Sequence, residues 1–389
     1  MNSEKKRIVL QVFLFVATFV TTTFAGSEWS YGRSVLYTPD YGWSDFISGM
    51  QFSVPLLLFL TVHEFGHYFT ALYHKVKTSL PYYIPVPPIP FLPFSIGTMG
   101  AVIRLRSRPV SNVQHFDIGM SGPLAGFVVA VAIIFYGFIT LPPPDYVFQF
   151  HPEYQQYGAD YASVVYEPEY YQAHESVVDI TIGTNLVFLF FEKFIADPTR
   201  VPNPHELMHY PVLLAGFIAL FVTCLNLLPI GQLDGGHVVY GMFGYKRHRV
   251  VATIFFVALL FYSGLGNPYT NPLLPTNELL INILLYIVFL YFAFTGLKLS
   301  KRDTAMYAVL MFAVQFFLMY FFPTVEGYTG WLLFAFIVGR FLGIQHPASP
   351  IEVPLDSRRI IVGWITLIVF LLCFSPAPIA LEIHMAPAP

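Results

Sequence analysis

The sequence predicts an all-α polytopic membrane protein with nine transmembrane helices and a short membrane-associated β-hairpin or loop. Of its 389 residues, 56% are hydrophobic and only 11% are charged. Soluble domains carry about 25% charged residues, so this chain lacks the polar surface that a water-soluble protein needs. Apolar stretches of bilayer-crossing length recur along the chain, and clusters of positive charge lie between alternate stretches.

A spanning helix needs about 20 mostly apolar residues, and several stretches approach that length. They are 8–25, 50–73, 118–141, 212–229, 250–266, 278–298, 304–322, 331–343 and 360–375. The stretch 331–343 is short, which indicates a tilted or re-entrant segment. The stretch 177–194 is apolar but contains Asp179, Glu192 and Lys193, so we predict an interfacial helix there that does not cross the membrane.

The charged residues predict the orientation, because Lys and Arg concentrate in short cytoplasmic loops. With the N-terminus inside and the C-terminus outside, every basic cluster lies on the cytoplasmic side. These clusters are at 5–7, 75–108, 246–249, 298–302 and 358–359. The segment 142–211, which we call the external segment, is acidic and lies outside. A tenth span at 177–194 would invert all later loops.

The N-terminal residues 5–7 and the apolar run 8–25 superficially resemble a secretory signal. We favour a retained first helix, because the run is long enough to span and more spans follow. No Arg- and Ser-rich transit segment precedes it. We therefore expect an integral protein of a prokaryotic cytoplasmic membrane, with its active site toward the cytoplasmic side.

The predicted organisation is a single membrane domain over residues 1–389. It comprises the first span and an external loop (1–49), a catalytic core (50–249) and a C-terminal helical half (250–389). Six prolines between 81 and 93 exclude a regular helix there. The alternating β-branched residues of 96–106 predict a short strand or hairpin.

A His-Glu-Phe-Gly-His motif lies in the second predicted span. His63 and His67 are four residues apart, so on a helix both imidazoles project from one face and can chelate a zinc ion. Glu64 is placed to reach a water on the metal, as in metalloproteases. An unpaired ionisable residue inside lipid costs at least a few kcal/mol, which favours metal binding over a chance match.

A third ligand is expected from another apolar segment, because catalytic zinc usually takes three protein ligands. The segment 226–237 ends the fourth predicted span and contains Asn226 and Asp234, with Pro229 and Gly231 breaking the helix. Broken helices at membrane depth occur where they are buried in protein or line a cavity. An ordinary helix end with Asp-Gly-Gly as a turn is the alternative.

Together the two motifs resemble the site-2 protease family of intramembrane metalloproteases, in particular its PDZ-less plant and cyanobacterial branch. His63 to His67 matches the His-Glu-x-x-His signature of that family, and 226–235 matches Asn-x-x-Pro-x-x-x-x-Asp-Gly. The resemblance implies that His63, His67 and Asp234 bind one Zn²⁺ per chain and that Glu64 is the catalytic acid and base. It also implies peptide-bond cleavage within or beside a substrate's transmembrane segment.

Substrate binding is assigned to two further regions. Asn226 is a candidate for orienting substrate or stabilising the oxyanion, although a helix-breaking cap is an alternative. Gly97, Gly100 and Val102 lie in a stretch similar to the family's membrane-associated strand, where an unwound substrate could add by β-pairing. A simple connecting hairpin is the alternative.

We interpret the glycine-rich segment 117–126 and the remaining histidines as structural residues. The glycine-rich segment 117–126 is similar to one in the family core, and we interpret it as a helix-packing surface. We interpret His237 as a polar residue at a membrane surface, with a hydrogen bond to a ligand as the alternative. The remaining histidines have no ligand spacing and are interpreted as loop residues: His74, His115, His151, His174, His205, His209, His248, His346 and His384.

We therefore expect an intramembrane zinc metalloendopeptidase that acts on membrane-anchored proteins in the lipid bilayer, in regulated intramembrane proteolysis. The net charge of −3 offers no basic face for nucleic acid. One alternative is a catalytically silent homologue that serves as a membrane-protein scaffold or chaperone. A transporter is a weaker alternative, because Gly- and Pro-broken helices also suit that class.

Overall fold

The computed structural model describes residues 3–89, 95–173, 177–272 and 276–384. Residues 90–93 of the proline-rich stretch lie outside this described part. The chain divides into two compact units. The first unit comprises Met1–Arg108, Ser121–Cys224 and Leu371–Pro389, and the second comprises Pro109–Met120 and Leu225–Phe370.

The described residues form mostly helices, as predicted, together with two small sheets. The helices are α1 (Ser3–Tyr31), α2 (Trp43–Tyr73), α3 (Asn112–Ile139), α4 (Ala162–Val165), α5 (Pro168–Ala173), α6 (Leu186–Phe194), α7 (Pro211–Leu227), α8 (Asp234–Ser263), α9 (Thr276–Phe294), α10 (Lys301–Phe321), α11 (Gly330–Ile337) and α12 (Ser357–Cys373). The strands are β1 (Tyr82–Pro85), β2 (Thr98–Val102), β3 (Val177–Ile182) and β4 (Ile379–His384).

Five helices of the described chain are long and apolar enough to cross a membrane. They are α1, α2, α3, α9 with its extension to Leu297, and α10. Two further predicted spans coincide with shorter apolar helices, Pro211–Leu227 and Gly330–Leu342. The two remaining predicted spans, 250–266 and 360–375, coincide with α8 and α12. These helices are not among the five candidate membrane spans. An integral membrane protein is thus supported, and the count of nine spans stays a prediction.

In the first unit, α1 and α2 pack closely because small residues face each other. A methyl group on Gly26 would lie 2.4 Å from the Gly49 carbonyl oxygen, so the two backbones nearly touch. Thr23 and Ser53 share a buried 2.8 Å hydrogen bond at the same level. Such close approach of small residues is a common basis of helix association in lipid.

The predicted strand within 96–106 is confirmed, because β2 pairs antiparallel with β1. Gly97 precedes β2 with φ +79°, and its carbonyl accepts a 2.6 Å hydrogen bond from the Thr21 hydroxyl. A methyl group there would lie 2.4 Å from the Thr21 carbonyl oxygen. Gly97 thereby anchors the hairpin to α1.

The interfacial helix predicted for 177–194 is only half right. Residues Val177–Ile182 form β3, and a helix begins only at Leu186, where the Asn185 side chain accepts from the Phe188 amide. β3 pairs antiparallel with β4 near the C-terminus. The alternation Val-Val-Asp-Ile-Thr-Ile suits a strand, but its partner lies about two hundred residues away and cannot be found from local pattern.

The second unit contains α8, which begins at Asp234 and has a non-helical residue, Gly244, with φ +75°. A bidentate ion pair joins Arg359, in the first turn of α12, to Asp117, with both N–O distances 2.8 Å. Asn112 donates to the Val353 carbonyl at 2.8 Å and accepts from its amide at 3.0 Å. These contacts link the start of α3 to the segment before α12.

Candidate active site

His63 and His67 lie one turn apart on α2 and meet on one face, as the spacing predicts. Their Nε2 atoms are 3.1 Å apart, and the residues are only 2% and 7% exposed. Two nitrogens at this separation, each 2.0–2.1 Å from a common zinc ion, would subtend about 98° at the metal. That angle is near tetrahedral, so the imidazole pair fits zinc.

Glu64 lies on the same turn of α2 and is 6% exposed. The Tyr83 hydroxyl, in β1, shares a 2.7 Å hydrogen bond with the hydroxyl of Thr61, three residues before Glu64. The turn therefore holds two imidazoles and a carboxylate within a candidate membrane span. Such a set is costly in lipid unless the charged and polar groups are paired or bind a cation.

The glycine-rich segment packs against this turn, which confirms its structural interpretation. A methyl group on Gly122 would lie 2.1 Å from His67 Nε2, and one on Gly126 would lie 3.2 Å from His63 Cβ. The Ser121 hydroxyl donates to the Gly66 carbonyl at 3.0 Å. The absence of side chains at Gly122 and Gly126 therefore lets α3 pack directly against both histidines.

Asp234 lies in the second unit as the first residue of α8, and it is half-buried. The predicted helix break precedes it, because α7 ends at Leu227 and Gly231 has φ +59°. A methyl group on Gly235 would lie 1.9 Å from the Leu227 carbonyl oxygen, so the start of α8 contacts the backbone at the end of α7. Asp-Gly-Gly thus opens a helix and is not the turn considered as an alternative. That Asp234 shares a cation with His63 and His67 stays a prediction.

His237 belongs to a histidine cluster and does not lie alone at a surface. Its Nδ1 is 2.7 Å from Nε2 of His346, and the His115 ring stacks on the His237 ring at 5.1 Å between centroids. Burial, followed by the neighbouring His237, lowers the pKa of His346 to about 3. His346 is therefore neutral near pH 7, and its Nδ1 donates to the Pro347 carbonyl at 2.5 Å.

The residues predicted to bind substrate lie in both units. Gly97, Gly100 and Val102 belong to the hairpin of the first unit, where Gly100 has φ +96° and Val102 is 51% exposed. Asn226 lies near the end of α7, within the second unit, and is half-buried. Their part in substrate binding stays a prediction.

Comparison with known families assigns the chain to one of them. The family model described as peptidase family M50 matches residues 51–265, which include both motifs and more than half of the chain. The chain belongs to peptidase family M50. This is the site-2 protease family, so the resemblance drawn from the two motifs is confirmed.

Plant proteins are among the relatives of this M50 chain. "Probable zinc metalloprotease EGY1, chloroplastic" is 26% identical over 51% of this chain in Oryza sativa subsp. japonica. The protein of the same name from Arabidopsis thaliana is 27% identical over 55% of this chain. These matches cover 28% and 33% of the relatives, so the chain spans about a third or less of their length. No solved structure shows significant similarity to the chain.

Several histidines of this M50 chain were wrongly interpreted as isolated loop residues. His115 and His248 lie on helices, and His384 ends β4, whereas His174 lies outside the described residues. His151 and His209 approach each other together with Glu206. The spacing of Glu206 and His209, three residues apart, is the one available sequence signal for this cluster.

Proposed function

We propose that this M50 protein is a zinc metalloendopeptidase that cleaves membrane-anchored proteins within or near a transmembrane segment, in regulated intramembrane proteolysis. The observation that carries the proposal is the buried imidazole pair of His63 and His67, with Nε2 atoms 3.1 Å apart inside a candidate membrane span. The printed names of the plant relatives support zinc and proteolysis.

We assign His63, His67 and Asp234 as ligands, which leaves a fourth position open, as catalytic zinc sites require. When bound, zinc would polarise the scissile carbonyl and make the attacking water easier to deprotonate. Glu64 takes the proton from that water and delivers it to the leaving amine. Gly122 allows α3 to support the His67 ring at contact distance.

A transmembrane helix hides its amide bonds, so the substrate must unwind before cleavage. We propose that the unwound segment pairs with β2, whose residues Met99 and Val102 are 78% and 51% exposed. Gly97 and Gly100 shape the backbone on either side of Met99, and the Asn226 amide orients the scissile peptide. Replacing Met99 by Cys should permit cross-linking to a substrate cysteine near the cut, whereas Cys at Tyr73, equally exposed at the end of α2, should not.

The central test uses the purified chain in proteoliposomes with a single-span protein that is tagged at both ends and has its external domain trimmed. The wild type should release two tagged fragments, and mass spectrometry should locate the cut in the span. Glu64→Gln should retain zinc yet cleave more slowly by about 10²-fold or more, the usual contribution of a general acid and base. Cleavage by Glu64→Gln at the wild-type rate would refute the mechanism.

The alternative functions give different results in the same preparation. A silent scaffold would hold zinc but release no fragment from any of a panel of tagged substrates. A transporter would show ion or solute flux that survives chelation of zinc. Asp234→Ala should lose the zinc bound by His63 and His67; unchanged occupancy would remove Asp234 from the site.

We further propose a cytoplasmic N-terminus, with the active site toward the cytoplasmic side of a prokaryotic cytoplasmic membrane. The plant relatives carry chloroplastic names, so the compartment needs its own test. A single cysteine placed in the external segment should react with an impermeant maleimide on intact cells, and one placed among residues 246–249 should not. The reverse labelling pattern would invert the topology.

A further inference from the structure

A partly buried cluster in the first unit brings together His151, Glu206 and His209, all within the external segment. His151 Nε2 lies 3.3 Å from His209 Nε2 and 3.5 Å from Glu206 Oε2. The third edge of this triangle, from His209 Nε2 to Glu206 Oε2, is 3.6 Å. Three donor atoms bound at 2.0–2.1 Å to a tetrahedral zinc ion are about 3.3–3.4 Å apart. The triangle therefore has nearly the size of a tetrahedral zinc face.

Both imidazoles are oriented so that Nε2 faces the centre of this triangle. His209 Nδ1 donates to the Ser30 carbonyl at 2.9 Å, and His151 Nδ1 lies 3.3 Å from the Glu153 carboxylate. An imidazole whose Nδ1 carries the donated proton presents a lone pair at Nε2, which is the form that binds metals.

The Glu206 carboxylate also faces the centre of this triangle. Glu206 is 2% exposed, and its Oε1 accepts a hydrogen bond from the Tyr166 hydroxyl. Its Oε2 points at the two imidazoles and has no hydrogen-bond donor among the described residues. A buried oxygen facing two nitrogen lone pairs is unfavourable unless a cation or a proton lies between them.

Aromatic rings stack on both imidazoles of the cluster. Phe150 stacks on His209 with centroids 4.1 Å apart, and Tyr154 stacks on His151 at 4.5 Å. Glu206 and His209 are three residues apart around a 3₁₀ turn, a spacing that places both side chains on one side. These contacts constrain the orientation of both imidazole rings.

We propose that His151, Glu206 and His209 bind a second zinc ion, which fastens the external segment to the end of α1. His209 supplies that link, because its other ring nitrogen bonds Ser30 in the last turns of α1. Two imidazoles and one carboxylate suit zinc, with the fourth position left to water. The inference is independent of the protease proposal, and it changes the expected stoichiometry from one zinc ion to two.

The test counts zinc in the purified full chain by mass spectrometry after dialysis. The wild type should hold two ions, and His63→Ala/His67→Ala should retain one, because its external cluster is untouched. Adding Glu206→Gln and His209→Ala should remove that last ion. Adding His346→Gln instead should leave that ion bound. This result would exclude the histidine cluster of the second unit as the site of the retained zinc. A folded His63→Ala/His67→Ala protein without zinc would overturn the inference.

A second measurement avoids changing the cluster at all. In the His63→Ala/His67→Ala protein, Co²⁺ should give the intense visible absorption of a tetrahedral site, and Zn²⁺ should displace it. Zinc should also slow protease cleavage of residues 142–211 by about tenfold or more, because bound metal stabilises the folded segment. A cobalt spectrum of the hexa-aquo ion and unchanged cleavage would overturn the proposal of a metal site in the triangle.

The two proposals fail separately. If the protease proposal is wrong, the wild type will show no cleavage, while zinc that depends on Glu206 and His209 will remain. If the external site is wrong, cleavage will be unaffected, and all zinc will depend on His63 and His67.

Discussion

Replacing Gly122 by Ala tests how closely α3 positions the proposed metal ligand His67. The added methyl group would lie 2.1 Å from His67 Nε2 and 2.4 Å from both Cδ2 and Cε1 of the ring. Restoring an ordinary contact near 3.4 Å requires a displacement of about 1.3 Å, because the opposing backbone of α3 is fixed in a helix. Metal sites tolerate deviations of only about 0.2 Å in ligand distance.

We therefore expect Gly122→Ala to weaken zinc binding by at least 10–100-fold, the usual effect of disturbing the groups that orient a ligand. This loss corresponds to about 1.4–2.8 kcal/mol. Competition titration with a zinc chelator measures it, in a His209→Ala background so that only the proposed site of His63 and His67 is counted. Peptidase activity should fall in parallel at limiting zinc.

Gly137→Ala is the matched control on the same helix. Its methyl group would lie 2.5 Å from Cδ2 of Leu213, at the far end of a flexible side chain. We expect a stability loss of about 1–3 kcal/mol from overpacking, with zinc affinity unchanged. If folded Gly122→Ala bound zinc as tightly as Gly137→Ala, the role of α3 in positioning His67 would be refuted.

Two further predictions concern the scaffold. Arg359→Met should destabilise the second unit by about 3–5 kcal/mol, because it removes the bidentate ion pair with the Asp117 carboxylate, which is 8% exposed. Thermal unfolding in detergent measures this loss, and the double variant Arg359→Met/Asp117→Leu should recover much of it. Thr21→Val should lower the free energy of unfolding by about 1 kcal/mol, because it removes the hydroxyl that donates to the Gly97 carbonyl. Proteolysis near Gly97 should become faster, and an unchanged cleavage rate would contradict the role of Gly97 in anchoring the hairpin.

The sequence alone determined the features that depend on short separations along the chain. Apolar length predicted a membrane protein, and four-residue spacing predicted that His63 and His67 share a face of α2, because the helical repeat fixes that geometry locally. Pro229 and Gly231 likewise predicted the break before Asp234, since their backbone restrictions act within a few residues.

Only the tertiary structure decided the contacts between distant segments. β3 pairs with β4, Asp117 with Arg359, and His151 with His209, and the residues between them carry no local signal of the pairing. The physical reason is that the free energy of such contacts comes from burial and from the mutual satisfaction of polar groups, which depend on the whole packed chain. Periodicity thus identified one imidazole pair, whereas packing assembled the His151–Glu206–His209 cluster.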